Sequence, residues 1–251
     1  MKASHKTNLV LVHGWGMNTA VWRSLATSLN DEFELSLIQL PGHGNANEVA
    51  GGIEDWADYC LQQAPERAIW CGWSLGGQIA LHIAAHHAAR LSALFMLAST
   101  PRFVAEQNWH CAMPAHTFEA FVKAVTKDIE STLVRFLSLQ VRGSEGAAQV
   151  LKQLRKDMRQ QALPTQQALN DGLLLLNSLD LRAELSQLSC PVQWLLGERD
   201  SLIPACIAEA LQENHSQNHI DMIPTAGHAP FLSHPQRVAA ALQQFCRESH
   251  A

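Results

Sequence analysis

The segment Gly72-Trp73-Ser74-Leu75-Gly76 constrains the fold of this 251-residue chain more than any other stretch. It has the pattern G-x-S-x-G. It stands between an apolar run, Ala68-Ile69-Trp70-Cys71, and a helix-like stretch that continues to His87. A strand, a tight turn and a helix in this order raise the serine above the end of a sheet. The flanking glycines permit a sharp turn and keep side chains away from it. Ser74 is therefore the candidate nucleophile.

Two further side chains stand in an order that suits a Ser-His-Asp triad. Asp200 follows the apolar run that ends in Leu195-Leu196-Gly197, and His228 follows a second run, 220–223. Nucleophile, acid and histidine in this order is one of the known arrangements of such triads. Because a serine hydroxyl is a weak nucleophile, it needs a base and the base needs an orienting acid. We expect His228 to accept the Ser74 proton and Asp200 to orient the imidazole.

Each of these two roles has an alternative candidate. Glu198 or Asp221 would also supply a carboxylate, but Asp200 lies beyond the end of a predicted strand, where a loop reaches the site. His234 would also supply an imidazole, but it precedes Pro235 at a predicted helix start, as a cap or surface residue does.

Two backbone N–H groups are expected to stabilise the oxyanion of a tetrahedral intermediate. One belongs to the residue after the nucleophile, here Leu75. The other belongs to a loop near the start of the chain, which follows the third strand in folds that keep all of their strands. That loop corresponds to His13-Gly14-Trp15-Gly16, in which Trp15 is the candidate donor and its indole a part of the pocket wall. The alternative is that Trp15 only packs. Pro41-Gly42-His43-Gly44 reads as a turn that borders the pocket.

Short apolar runs alternate with helical patterns along most of the chain. The runs are apolar at consecutive positions, as in parallel strands buried on both faces. This alternation predicts an α/β fold with a mostly parallel, doubly wound sheet and a site at the carboxyl ends of its strands. The predicted strands are 9–12, 34–39, 68–71, 91–97, 192–196 and 219–223, and the predicted helices are 19–29, 53–63, 75–87, 204–213 and 235–247.

The alternation stops between Thr100 and Ser189, where helical periodicity predominates. Pro101 and Pro191 bracket this span. A helical lid insertion at 101–189 within a core formed by 1–100 and 190–251 is the simplest interpretation. A separate small domain is less favoured because the strand pattern resumes immediately afterwards.

Composition indicates an ordinary globular protein. Hydrophobic residues make up 47% of the chain and the net charge is −5, so neither nucleic acid nor a membrane is an expected partner. The apolar run Leu9–Val12 is too short for a signal-peptide core or a membrane span, and the cytoplasm is the expected location. The six cysteines are scattered, which favours free buried thiols over disulfides or zinc.

The thirteen histidines predict no metal site. His82 and His86 have i, i+4 spacing and His87 is adjacent, but no carboxylate or cysteine is near them in the sequence. We interpret these three side chains as a surface face of a helix.

Five motifs in order give the chain a resemblance to the α/β-hydrolase superfamily along its length: H-G-W-G, P-G-H-G, G-W-S-L-G-G, G-E-R-D and A-G-H-A-P-F-x-S-H-P. Within that superfamily it most resembles the pimeloyl-[acyl-carrier protein] methyl ester esterases of biotin synthesis. The narrower resemblance rests on 11–18 with Val21-Trp22-Arg23, on 68–77, and on Arg135-Phe136-Leu137-Ser138-Leu139-Gln140.

This resemblance implies an α/β-hydrolase fold and a serine carboxylesterase that hydrolyses the methyl ester of a pimeloyl chain attached to acyl carrier protein. It implies no cofactor or metal, and a monomer is expected. The residues that it places around the acyl chain are Trp15, Ser74, Leu75, Phe136, Leu137, Ser138, Leu139, Gln140 and His228.

A basic segment is the feature that bears on the carrier protein. Residues 135–159 contain six basic and two acidic side chains. Lys152, Arg155, Lys156 and Arg159 share one face of a predicted helix, beside an apolar stripe that includes Leu154. Such a face would attract an acidic carrier, and an ordinary solvated face is the alternative. The carrier contacts expected from this segment are Arg135, Arg142, Lys152, Arg155 and Arg159.

The same residues are compatible with other functions. A general short-chain carboxylesterase without a carrier partner would use the same triad, as would a carbon–carbon bond hydrolase or a cofactor-free perhydrolase. A non-catalytic ligand-binding protein on the hydrolase fold is less favoured, because such a protein has no need of an intact triad.

Overall fold

A sheet of six parallel strands forms the centre of the computed structural model, which describes residues 6–214 and 219–249. The strands are β1 (Thr7–Val12), β2 (Phe33–Ile38), β3 (Ala68–Trp73), β4 (Leu91–Leu97), β5 (Val192–Gly197) and β6 (His219–Ile223). Their order is β2-β1-β3-β4-β5-β6, and every neighbouring pair is parallel. Every residue of β3 and β5 is buried, which explains why these runs are apolar without alternation.

Helices cover both faces of the sheet. The chain moves from β1 through α1 (Arg23–Leu29) to β2 in one direction along the sheet and from β2 through α2 (Ile53–Gln63) to β3 in the other. Because such crossovers are right-handed, α1 and α2 lie on opposite faces. The helices outside the segment between β4 and β5 are α1, α2, α3 (Leu75–His86), α9 (Ile207–Asn214), α10 (Pro230–Ser233) and α11 (Pro235–Glu248).

The segment between β4 and β5 is helical. Its helices are α4 (Ala115–Lys127), α5 (Ile129–Gln140), α6 (Ala147–Met158), α7 (Gln166–Ser178) and α8 (Arg182–Leu185). The division at residues 101 and 189 into a core and a lid stays a prediction. Within the described ranges, no helix combines the length and the apolar character needed to cross a bilayer.

The strand order places the site. β1 lies between β2 and β3, so the chain leaves the carboxyl ends of β1 and β3 toward opposite faces. A crevice opens where the strand order reverses in this way. The loop after β1, which contains His13–Gly16, and the turn at Ser74 after β3 therefore meet at the same edge of the sheet.

The prediction that the cysteines are free thiols is wrong for one pair. A disulfide joins Cys111 to Cys206, with their Cα atoms 5.6 Å apart. The two are separated by 95 residues in the sequence, so no local spacing signalled the pair. Cys60 and Cys71 are buried thiols, and burial raises the pKa of Cys60 to about 12.

The interpretation of His82, His86 and His87 as a surface face is wrong for His82 and confirmed for His86, which is exposed, while His87 is half-buried. His82 is only 5% exposed. A carboxylate does lie near His82 and His86, because α8 packs against α3 and brings Glu184 close to both. No local pattern signals this contact, because Glu184 lies about a hundred positions further along the chain.

Candidate active site

Ser74 occupies a strained turn between β3 and α3. Its φ of 55° and ψ of −121° are conformations that non-glycine residues rarely adopt. Two contacts hold the turn: the Ser74 N–H donates to the Leu97 carbonyl at 3.1 Å, and the Ser99 hydroxyl donates to the Ser74 carbonyl at 2.7 Å. Strain held in place by hydrogen bonds is the conformation expected of a G-x-S-x-G elbow.

The glycines around Ser74 are required for close approach. A Cβ atom on Gly72 would lie 2.4 Å from the Gly76 carbonyl oxygen, and one on Gly76 would lie 2.5 Å from the His13 carbonyl oxygen. A Cβ on Gly77 would lie 2.4 Å from the Ser99 hydroxyl. The motif therefore lets α3 start directly against the ends of β1 and β3.

His228 and Asp200 form a buried pair. Nδ1 of His228 lies 2.7 Å from Oδ2 of Asp200, and each side chain is 1% exposed. The other carboxylate oxygen accepts the N–H groups of Leu202 and Ile203 at 2.8 and 3.0 Å. Trp73 donates its indole N–H to the His228 carbonyl at 2.8 Å. The carboxylate is thus fixed on both oxygens, and it orients the imidazole.

The alternative acids and base have other partners. Asp221 accepts a hydrogen bond from Gln193 at 2.6 Å, and Glu198 accepts the Thr225 N–H at 3.0 Å. His234 contacts hydroxyl groups, including that of Thr225. Of the three candidate carboxylates, Asp200 is the one that bonds His228.

The loop after β1 lies against the nucleophile. A Cβ on Gly14 would lie 3.2 Å from the Ser74 Cβ atom. Trp15 follows, and its indole donates to the Leu169 carbonyl at 2.8 Å and meets the Phe136 ring edge-on, with centroids 4.9 Å apart. Leu75 begins α3, where the first N–H groups of a helix have no intrahelical partner.

Two buried histidines support this loop, and the sequence assigned neither of them a role in the site. Nε2 of His43 accepts the Gly16 N–H at 3.2 Å, and Nε2 of His13 accepts the Leu40 N–H at 3.1 Å. His43 is therefore more than a turn residue at the pocket border, because it fixes the backbone next to Trp15. A possible signal was the repeated His-Gly pair after two successive strands.

Both histidines are held in the neutral form. Burial, with a smaller effect of His43, lowers the pKa of His13 to about 3. Burial lowers the pKa of His43 to about 4, against a weaker opposing effect of its hydrogen bond with the Pro41 carbonyl. Each neutral ring offers a lone pair to a backbone N–H, which a protonated ring would not.

Ser74 opens into a cavity of about 340 Å³. Of the residues expected around the acyl chain, Trp15, Phe136 and Leu139 line this cavity with Ser74. Arg142 lies in the same wall. The insertion also contributes side chains that sequence reasoning missed, since a helical pattern alone does not tell which apolar face meets the site: Phe103, Met113, Pro114, Thr117, Phe118, Phe121 and Leu176.

Helix α5 separates this cavity from a second one. Leu137 lines the second cavity, of about 320 Å³, together with Gly16, Arg155 and Arg159. Ser138 lines neither cavity, and its hydroxyl donates to the Val134 carbonyl.

Gln140 joins the insertion to the histidine loop. Its backbone carbonyl accepts the Ala229 N–H at 3.0 Å, one residue beyond His228. Ser144 makes a second link, accepting the Gly227 N–H at 2.8 Å. Gln140 therefore contacts the loop of the site and lines neither cavity.

The predicted carrier contacts are exposed. Lys152, Arg155 and Arg159 lie on α6 or at its end, while Arg135 lies on α5. Leu154 and Met158 bury the opposite face of α6. Asp157 anchors the helix to the core through Arg23, at 3.0 Å.

The sequence matches a family model described as the alpha/beta hydrolase family over residues 9–241. The chain belongs to the alpha/beta hydrolase family. Relatives that match more than nine-tenths of this chain are named as methyl ester esterases, so the chain is a carboxylic ester hydrolase. One such relative of this hydrolase is the pimeloyl-[acyl-carrier protein] methyl ester esterase of Vibrio cholerae, 39% identical over 95% of this chain and 93% of that protein.

Two further relatives carry the same name. The protein from Nitrosomonas europaea is 39% identical over 92% of each chain. That from Stenotrophomonas maltophilia is 40% identical over 95% of this chain and 92% of that protein.

Solved structures support the fold. An esterase from Exiguobacterium antarcticum has a TM-score of 0.85 at 19% identity and covers 98% of this hydrolase and 93% of that chain. A thermophilic esterase from Thermogutta terrifontis has a TM-score of 0.81 at 22% identity and covers 99% and 92%. At these identities the likeness establishes the architecture alone.

Proposed function

We propose that this hydrolase cleaves the methyl ester of pimeloyl-[acyl-carrier protein], the reaction named for its relatives. The observation that carries the proposal is the identity of about 39% to these relatives over nearly the whole chain. The apolar cavity beside Ser74 supports it, because a methylene chain is stabilised by leaving water.

The first half of the reaction forms an acyl-enzyme. Ser74 Oγ attacks the ester carbonyl carbon while the unprotonated nitrogen of His228, Nε2, takes the hydroxyl proton. The N–H groups of Leu75 and Trp15 stabilise the oxyanion. The carbon–oxygen bond to the methoxy group then breaks, and methanol leaves with the proton from His228.

The second half restores the enzyme. Water attacks the acyl carbon, gives one proton to His228, and the ester bond to Ser74 breaks as Oγ recovers that proton. The products are methanol and a pimeloyl chain with a free carboxylate, still attached to its carrier. Asp200 stays ionised and stabilises the imidazolium in both halves.

The basic face of α6 gives the carrier a place to dock. Arg155 and Arg159 are exposed on this face and also line the second cavity, which reaches Gly16 of the oxyanion loop. An acidic carrier at this face would be attracted electrostatically and would hold its acyl group near the site. Arg142 stands at the wall of the Ser74 cavity itself.

The test compares carrier-linked pimeloyl methyl ester with a short p-nitrophenyl ester, using Ser74→Ala as the blank. We expect a Ser74-dependent preference for the carrier-linked ester. Activity on the short ester alone would indicate a general carboxylesterase. Failure of a fluorophosphonate to label Ser74 would indicate a non-catalytic protein.

The docking surface is tested by reversing its charge. Arg155→Glu with Arg159→Glu is expected to lower kcat/KM for the carrier-linked ester about tenfold through KM, because exposed ion pairs are worth about 1 kcal/mol or less each. The short ester should be unaffected. Arg67→Glu is the matched control, since Arg67 is exposed and precedes β3, at the opposite end of the sheet from Ser74. Equal loss on both esters would refute the docking role.

We further propose that the protein acts as a monomer in the cytoplasm. Sedimentation at micromolar concentration and fractionation of cells that express the intact chain test these two points.

A further inference from the structure

A cluster of three potential metal ligands lies outside the hydrolase site. His82 and His86 are one turn apart on α3, and Glu184 reaches them from α8. One ring nitrogen of each histidine and one carboxylate oxygen of Glu184 all lie within 4.8 Å of one another. This His-His-Glu donor set is one that catalytic zinc sites use, with a fourth position left for water.

His82 supplies an independent sign that a ligand is missing. It is 5% exposed, and its Nδ1 atom is buried with no hydrogen-bond partner among the residues that the structure describes. Buried polar atoms are nearly always paired, so an orphaned ring nitrogen calls for an explanation. Its ring centroid lies 4.4 Å from that of His86. Two neighbouring imidazoles and a carboxylate are better stabilised by a cation bound between them than by their contacts with one another.

Acidic side chains near the cluster suit a cation. Burial, and next the neighbouring His86, lower the pKa of His82. Glu54 and Glu184 add negative charge nearby and oppose that shift. His87 has a small electrostatic effect that lowers the same pKa.

We propose that His82, His86 and Glu184 form a binding site for a divalent transition metal, with Zn²⁺ the best match to the donor set. Ligand bonds of about 2.0–2.2 Å would place tetrahedral ligands about 3.4 Å apart, so the three groups must close by roughly 1 Å. Side-chain rotation supplies this, because His86 is exposed and Glu184 is half-buried.

The bound metal links two parts of the hydrolase. α3 begins directly after Ser74, and α8 is the last helix before β5. His82 lies eight residues beyond Ser74, which is about 12 Å along a helix. The metal is therefore outside the reacting groups, and it fastens the end of the helical segment to the helix that begins at the elbow.

Titration of the tag-free full-length protein with Zn²⁺ and with Co²⁺ tests the site. We expect one metal per chain, a higher melting temperature with metal, and a cobalt spectrum typical of nitrogen and oxygen ligands. His86→Gln and Glu184→Gln remove ligands that are not fully buried and should leave the fold intact. Each is expected to weaken binding by about 100-fold or more, since even outer-shell changes weaken metal sites by about 10- to 100-fold.

His110→Gln, an exposed histidine on another segment, is the matched control and should bind as the wild type does. Absence of binding at millimolar Zn²⁺, unchanged affinity in both ligand variants, or a cobalt–thiolate band would each overturn the proposal. None of these results bears on ester hydrolysis.

Discussion

Acidification is expected to destabilise this hydrolase through two buried histidines. His13 and His43 have folded-state pKa values of about 3 and about 4, against an ordinary value of 6.5. At pH values between these folded-state pKa values and 6.5, the unfolded chain binds protons that the folded chain does not. The free energy of unfolding therefore rises with pH in this range. The stabilisation is fully present above pH 6.5 and is lost as pH falls toward the folded-state values.

The magnitude follows from the proton linkage. At pH 5 the solution is about 1.5 pH units below the ordinary histidine pKa of the unfolded chain. Each pH unit corresponds to about 1.4 kcal/mol per group. Each histidine therefore removes about 2 kcal/mol from the free energy of unfolding between pH 8 and pH 5, and the two together remove about 4 kcal/mol. A loss of this size is a large share of the stability of a typical domain.

Urea denaturation followed by tryptophan fluorescence from pH 8 to pH 5 measures this loss. His43→Gln keeps an acceptor for the Gly16 N–H but does not titrate, so it should halve the slope that the two histidines produce. His110→Gln, which removes an exposed histidine, should leave the slope unchanged. A free energy of unfolding that is flat from pH 6.5 to 5, or a full slope in His43→Gln, would refute the reasoning.

Three other changes have defined outcomes. Asp200→Asn should lower kcat on any ester by about 10³- to 10⁴-fold with the fold intact, because the imidazole loses its charged orienting partner; steady-state kinetics measures this. Gly76→Ala places a Cβ 2.5 Å from the carbonyl oxygens of Val12 and His13 and should destabilise by about 3 kcal/mol or more, whereas Gly52→Ala, with space around it, should cost under about 1 kcal/mol in thermal denaturation. Reducing Cys111–Cys206 should lower the free energy of unfolding by up to about 4 kcal/mol, measured in urea with and without dithiothreitol.

The sequence alone predicted the sheet closely. Its six apolar runs are the six strands, with ends that differ by no more than two residues. Strand identity is encoded locally, in consecutive apolar residues bounded by turn residues. The turn at Ser74 is encoded in the same way, because its glycines are adjacent to it in the chain.

The tertiary structure decided what depends on distant segments. The disulfide between Cys111 and Cys206 and the approach of Glu184 to His82 both contradict sequence-based expectations. Neither contact has a local signal, since each joins residues about a hundred positions apart. The same holds for His43, whose contact with Gly16 exists only because β1 and β2 are neighbours in the sheet.

The cavity also depends partly on local sequence and partly on tertiary packing. The R-F-L-x-L-Q segment was recognisable in the sequence, yet only packing decided that Phe136 faces Ser74 while Leu137 faces the second cavity. A helix presents successive residues about 100° apart, so neighbours in one motif point to different surroundings. The sequence thus determined the strands, the elbow and the order of the triad residues, whereas the orientation of the helical insertion, which fixes the shape of the cavity, came from long-range packing alone.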